Sequence, residues 1–299
     1  MPYMQARTTV AKGPRPGGGR AARRWLLPLA LFGSALLAGQ ALAGPKDFAV
    51  YTPGMGGDPE TAKPYIDKFA QQLDSALGWP AGSSKGTFFV TRKEAVAGID
   101  ATKPGFAVVE PSLYFDLRKT HKAEALAQVD SPDLNSPKYS VVVKNPAYKS
   151  LADLAGKKLW TTLADSPKYL GSVVLDGKGA AETRFALKGV GIYTKAVRAV
   201  IRGEADATLL NDQQLAEAKK MEGGADLRVI YESPALPPLL VVSLDAALGD
   251  AEAKKLTKTL LSICGQPAGG EICKQMHIQK FVPVNSAVLS AAQKRYEQP

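Results

Sequence analysis

The sequence predicts an α/β fold, and two observations predict it. Short runs rich in Val, Phe, Leu and Ala alternate along the chain with longer stretches whose apolar residues recur at helical spacing. The short runs are apolar on both faces, as strands covered by helices on each side are. A chain of 299 residues, 45% of them apolar, is ample for a large core. Strands separated by helices in this way build mainly parallel sheets.

The elements follow in order. Phe48-Ala49-Val50-Tyr51 reads as a strand, then a Gly-rich turn (Pro53-Gly54-Met55-Gly56-Gly57) leads to a helix over 59–77. Ile66, Phe69, Leu73 and Leu77 form its apolar stripe, and Gly78-Trp79-Pro80 stops it. Thr87–Val90 is a second strand with a helix over 92–99, and Gly105–Val109 is a third strand that runs into Glu110-Pro111-Ser112-Leu113-Tyr114. Tyr139–Val143 is the next strand. Ser150 caps a short helix over 151–154, which Gly156 closes. Lys158–Thr162 is a strand, and Ser166-Pro167 opens a helix with Ser at the cap and Pro in the first turn. Thr183–Leu187, Ala205–Leu210, Leu227–Tyr231 and Leu239–Ser243 read as further strands. Tyr193, Val197, Val200 and Ile201 stripe a helix ending at Gly203, a polar helix covers 213–221, and helices over 250–263 and 270–276 close the chain.

The first segment reads as an address. Residues 1–43 hold Arg7, Lys12, Arg15, Arg20, Arg23 and Arg24 and no acid. An apolar run from Leu26 to Leu37 follows, interrupted by Pro28 and Gly33, and Ala41-Leu42-Ala43 precedes Gly44. A basic region, a short apolar region and a small-x-small site make a secretory signal peptide. The run is shorter than the roughly 20 residues of a membrane span. The pair Arg23-Arg24 leaves both Sec and twin-arginine export open. Without this leader the formal charge falls from +10 to +4, which weakens any nucleic-acid reading. The expected mature protein is periplasmic, not membrane-embedded, monomeric and without nucleic-acid partners. In such an oxidising compartment the even pair Cys264 and Cys273 is a disulfide candidate. Two His and two Cys leave little for a metal site, no cofactor is called for, and there is neither a His-Glu-x-x-His nor a Walker loop. The expectation is a protein that is not an enzyme.

In open α/β sheets, ligands bind beyond the carboxyl ends of the strands. That rule selects Tyr51 and Thr52, Arg92, Glu110, Ser112 and Tyr114, Asp165 and Ser166, and Asn211 and Asp212. Arg92 suits bidentate capture of an oxyanion, or equally is a solvated arginine at a helix start. Tyr51 and Tyr114 offer rings and hydroxyls, or are partly buried edge residues. Ser166 offers a hydroxyl at a helix start, where backbone N–H groups attract anions. Asp165 and Ser166 equally suit plain helix caps, and Asp212 equally suits the cap of the helix that follows. The turn Gly54–Gly57 lacks the Gly order and the Lys-Ser/Thr ending of a nucleotide loop, and His121 lies in a polar stretch that reads as surface.

Three phrases carry a family resemblance. Tyr148-Lys149-Ser150-Leu151-Ala152-Asp153-Leu154-Ala155-Gly156-Lys157-Lys158-Leu159 is the first. Ala196 through Arg202-Gly203-Glu204-Ala205-Asp206-Ala207 to Asn211 is the second, and Val229 to Pro238 the third. In this order they resemble the phosphate/phosphonate-type substrate-binding components of ABC importers, which have the type 2 periplasmic binding protein fold. The resemblance implies two Rossmann-like lobes joined by two hinge crossings. It divides the chain into 44–144 for the first part of lobe one, 145–231 for lobe two, and 232–299 for the return to lobe one and the C-terminal helices. The crossings fall near Pro137–Lys144 and Glu232–Leu239. It implies a small polar ligand held between the lobes, a phosphonate- or phosphate-like oxyanion among the candidates, and an ABC permease as partner. A membrane sensor, or another protein contacted by the same clamp, is the alternative. The chain departs from the family where Asp165 brings negative charge and Pro167 removes an N–H donor. With Glu110 added, these residues favour a cationic, zwitterionic or weakly charged ligand.

Overall fold

The computed structural model describes residues 46–52, 58–131 and 137–298. The signal-peptide reading of 1–43 and the Gly-rich turn at 53–57 lie outside them. In chain order the elements are β1 (Phe48–Tyr51), α1 (Pro59–Leu77), β2 (Gly86–Phe89), α2 (Arg92–Thr102), β3 (Phe106–Val109), α3 (Pro111–Thr120) and β4 (Glu124–Asp130). Then come β5 (Ser140–Val143), β6 (Lys158–Thr161), α4 (Pro167–Tyr169), β7 (Ala186–Gly189), α5 (Tyr193–Ile201), β8 (Ala207–Leu210), α6 (Asp212–Lys220) and β9 (Arg228–Glu232). Last are β10 (Leu240–Ser243), α7 (Gly249–Ile263), α8 (Pro267–Gln275), β11 (Lys280–Val282) and α9 (Ser286–Glu297). No helix among the described residues is long and apolar enough to cross a membrane.

Local chemistry sets these elements. Asp58 caps α1 by accepting from the Thr61 N–H at 2.9 Å, and Gly78, at φ 63°, ends it in the left-handed conformation that glycine adopts at little cost. Thr91 with Glu94 and Asn211 with Gln214 form reciprocal capping boxes at the starts of α2 and α6. A similar exchange between Ser150 and Asp153 opens the short 3₁₀ turn Leu151–Leu154.

The strands form two sheets. The first has the order β11-β4-β10-β3-β1-β2, the second β7-β6-β8-β5-β9. Both are mixed, which corrects the mainly parallel expectation. β1 runs parallel to β2 and β3, and β6 parallel to β7 and β8. β10 lies antiparallel between β3 and β4, β11 antiparallel to β4, and β5 antiparallel between β8 and β9. β5 and β10 are the strands through which the chain arrives from the other sheet, so each enters against its neighbours. Both are buried along their whole length, and such a run carries no sign of strand direction.

The chain passes from the first sheet to the second between Asp130 and Ser140, earlier than Pro137–Lys144, because β5 already belongs to the second sheet. It returns between Glu232 and Leu240. Four elements escape the sequence pattern: α3, β4, β11 and α9. The strand expected over Thr183–Leu187 starts later, at Ala186, after a 3₁₀ turn over Ala181–Thr183. His121 is not a surface residue: its side chain is 14% exposed, held between Asp100 and Asp245 at 2.9 Å each.

Three apolar clusters organise the core. One packs α1, α7 and α8 on the outer face of the first sheet through Phe48, Phe69, Leu73 and Leu256. The Cys264–Cys273 disulfide ties α7 to α8 beside it. A smaller cluster packs α5 and α6 on the second sheet through Val142, Val197 and Leu210. The third belongs to both lobes. It joins Ala49, Tyr51 and Val109 of the first sheet to Val141, Leu159 and Leu209 of the second, with Phe115, Tyr169 and Tyr296 between them. The Phe115 ring lies 6.2 Å from that of Tyr169 and 5.1 Å from that of Tyr296.

Candidate functional site

The polar junction between the lobes is centred on Arg92. This residue opens α2 directly after β2, and its capping box fixes the turn from which the side chain leaves. Its Nη1 donates to Glu110 Oε1 at 3.1 Å, to Ser112 Oγ at 2.8 Å and to Ser166 Oγ at 3.2 Å. Its Nη2 donates to the Ser112 carbonyl at 3.1 Å and to Asp116 Oδ2 at 2.5 Å. Glu110, Ser112 and Asp116 come from the start of α3, whereas Ser166 belongs to the second lobe. The Ser112 and Ser166 hydroxyls lie 2.6 Å apart, and Ser112 also hydrogen-bonds Glu110 Oε1. Ser166 stands at the start of α4 but makes no side-chain cap bond there; its hydroxyl serves the junction. α4 itself is three residues long before it passes into a π turn over Leu170–Val174, so side chains rather than a long helix end supply the donors here.

The electrostatics are those of a partly dry, acid-rich site. Glu110 and Ser112 are 7% and 0% exposed. Burial pushes the Glu110 carboxyl above the usual carboxylate value, with Arg92 and Ser112 offsetting part of the rise. Tyr51, 1% exposed, closes one side, and its hydroxyl finds no hydrogen-bond partner among the described residues. Burial first, then the charges of Glu110 and Asp165, raise its pKa, and Arg92 lowers it. The Tyr169 hydroxyl is raised by burial and by Glu110. Arg92 supplies the positive charge, facing Glu110 and Asp116 directly.

The structure therefore brings together Tyr51, Arg92, Glu110, Ser112 and Ser166, with exposed Asp165 felt through its charge on Tyr51. It places other candidates elsewhere. Thr52 follows Val50 onto the opposite face of the first sheet and lines a cavity of about 280 Å³ with Ile66, Phe69 and Phe281. Tyr114 turns to the far side of α3, where Arg118 and Glu124 act on it. Asn211 caps α6, and Asp212 acts on Lys138, which pairs with Glu232 at 2.8 Å. Asp116 and Tyr296 are functional candidates that the sequence reading missed. Asp116 carried a signal, since it lies one helical turn beyond Ser112 on the same face. Tyr296 carried none.

One serine outside the junction resembles a catalytic arrangement. Gly82-Ser83-Ser84-Lys85-Gly86, missed in the sequence reading, has the Gly-x-Ser-x-Gly spacing of a nucleophile elbow. However, it precedes β2 instead of following a strand, and the buried Ser84 hydroxyl bonds Asp74 at 2.5 Å, a carboxylate rather than an imidazole. The Ser84 turn is a structural tie to α1.

Comparison with known proteins agrees with this architecture. The sequence profile of a family described as "ABC transporter, phosphonate, periplasmic substrate-binding protein" matches residues 57–289. Among curated proteins, none matches the chain. The fold is similar to XAC2383 from Xanthomonas citri bound to chloride, with a TM-score of 0.62 and 16% identity over 84% of this chain and 98% of that one. It is similar to PhnD1 from Prochlorococcus marinus in complex with methylphosphonate, with a TM-score of 0.56 and 17% identity over 85% of this chain and 95% of that one. A binding protein component of an ABC phosphonate transporter from Pseudomonas aeruginosa gives 0.55 and 15% over 85% and 88%.

Proposed function

We infer a seat for the ligand on the premise that the chain belongs to the family of periplasmic substrate-binding proteins of phosphonate ABC transporters and that its role is solute binding for an ABC importer. We propose that the solute sits between the lobes against Arg92, Ser112, Ser166 and Tyr51. One observation carries this reading. Ser112 and Ser166, from opposite lobes, meet at 2.6 Å on the same guanidinium nitrogen. A solute oxyanion replaces that direct contact with a bridge, accepting from both hydroxyls and from Arg92.

The proposed solute is a singly charged oxyanion such as a phosphonate monoanion. With both carboxylates ionised, Glu110 and Asp116 outweigh Arg92, and they balance it when Glu110 is protonated; a monoanion then adds one negative charge to a neutral cluster, whereas a dianion adds two. Glu110 has its pKa raised by burial, and in protonated form it donates a hydrogen bond to the solute. The unpartnered Tyr51 hydroxyl is a further donor. The exported chain begins after residue 43 in this proposal, acts in the periplasm as a monomer and presents its closed form to a permease.

A second reading has its own support. Arg92 is engaged on both terminal nitrogens by protein groups, which suits a clamp that closes by itself and signals to a membrane sensor. Calorimetric titration of the purified protein with methylphosphonate and with inorganic phosphate decides between the two. The importer reading expects methylphosphonate to bind, phosphate to bind less tightly, and Arg92→Gln to abolish both. Heat-silent titrations with no thermal stabilisation by either compound overturn it, because a ligand at a hundredfold excess over its dissociation constant stabilises by about 2.7 kcal/mol.

A further inference from the structure

The C-terminal helix reaches the junction from outside it. At its start, Asn285 caps α9, and its backbone N–H donates to the Gln128 side chain of β4 at 3.1 Å, in lobe one. Midway, Gln293 accepts from Arg118 of α3. At its end the helix meets both lobes. Arg295 faces Asp176 of lobe two at 3.9 Å and donates to the Ala235 carbonyl in the second crossing at 3.5 Å. The Tyr296 ring packs on Phe115 of lobe one and carries the Lys168 ammonium of lobe two 4.7 Å from its centre. Its hydroxyl donates to Asp116 Oδ1 at 2.6 Å. The other oxygen of Asp116 accepts from Arg92 Nη2, and Arg92 Nη1 reaches Ser166 across the lobes.

We propose that Tyr296 is a positioning residue for the interlobe site, and that α9 is a strap that holds the lobes closed through the relay Tyr296–Asp116–Arg92–Ser166. The proposal rests on the reading that the solute is gripped at Arg92, Ser112 and Ser166. Asp116 alone would be a loose anchor, because a side chain 48% exposed keeps rotamer freedom that packing does not remove. The phenol, 4% exposed and wedged between Phe115 and Lys168, removes that freedom. With the carboxylate fixed from one side, the planar guanidinium is fixed on the other, and its Nη1 edge is aimed at the second lobe. α9 thus selects the arrangement of Arg92 without touching the solute.

The test uses the whole purified protein and two readouts. Spin labels placed by Lys254→Cys in lobe one and Lys219→Cys in lobe two, both exposed, report lobe separation by pulsed electron resonance without any ligand. Calorimetry with methylphosphonate reports grip. Tyr296→Phe keeps the ring and removes only the hydroxyl. The expected result is a broader, longer interlobe distance distribution and roughly tenfold weaker binding. In an Asp116→Asn background, Tyr296→Phe adds nothing further, which a merely structural tyrosine would not show. A Tyr296→Phe protein with unchanged distances overturns the proposal, as does an undiminished effect in the Asp116→Asn background. Ser166→Ala distinguishes the two failures. If Ser166→Ala leaves methylphosphonate binding intact, the seat of the solute is wrong, and the strap is judged on the ligand-free distances alone.

Discussion

Ser112 and Ser166 lie 54 residues apart in the chain, yet their hydroxyl oxygens are 2.6 Å apart across the two lobes. Each is also bonded by the same Arg92 nitrogen, so the three side chains form one polar unit. Truncating either serine to alanine is expected to destabilise the fold by about 1 kcal/mol. Truncating both should cost little more than truncating one, because the shared bond is lost only once. Urea unfolding of the two single variants and the double variant checks this. Additive losses would show that the hydroxyls act separately.

Glu110 makes stability depend on pH in a predictable sense. Burial raises its carboxyl above the ordinary 4.5, so the folded chain holds this proton to higher pH than the unfolded chain does. The contribution is therefore fully present below the ordinary value and is lost as pH rises through the raised one. Asp58 and Asp153, both lowered by local hydrogen bonds, act in the opposite sense. Comparing Tm against pH for the natural protein and Glu110→Gln cancels those two. The natural protein should lose ground relative to the variant as pH rises above the ordinary carboxylate value. A constant difference across that range would contradict the assignment.

In the proposed site Tyr51 trades stability for function. Its buried hydroxyl has no partner among the described residues, and such a group costs on the order of 1–3 kcal/mol. Tyr51→Phe should therefore raise Tm while weakening methylphosphonate binding. A variant that binds as tightly as the natural protein would remove Tyr51 from the site.

The Cys264–Cys273 bond closes a loop with a sequence separation of 9 on the outer face of lobe one. Closing a loop of that length contributes about 2–3 kcal/mol by the chain-entropy account. Replacing both cysteines by serine should lower stability by about that amount and leave ligand affinity unchanged, since Cys273 packs in a cluster separate from the junction. Denaturant melts and titrations of the double variant read both effects.

Much of this fold was legible because local signals agreed with one another. The stripe Ile66, Phe69, Leu73 and Leu77, the Ser150 cap and the Gly78 stop each act within a few residues; the boxes at Thr91 and Asn211 were equally local but went unread. The strap α9 was not legible. Its buried residues are Leu289, Ala292 and Tyr296, amid polar neighbours, and this stripe is thin. At the site, the misplaced candidates broke rules of period. Tyr51 and Thr52 are successive residues leaving a strand, so only one of them faces the junction. Ser112 and Asp116 share a helix face, and Tyr114, two residues from each, points to the other side. Tyr296 lies 180 residues from Asp116, and only the folded chain could pair them.

The aromatic contact between Phe115 and Tyr169 has a thermal consequence. If the lobes part as the proposed clamp requires, these rings separate and become wet, so part of the closing force is hydrophobic. That force weakens on cooling. In the proposed clamp this ring-against-ring contribution is smaller in the cold, so the ligand-free protein is expected to stand further ajar on cooling.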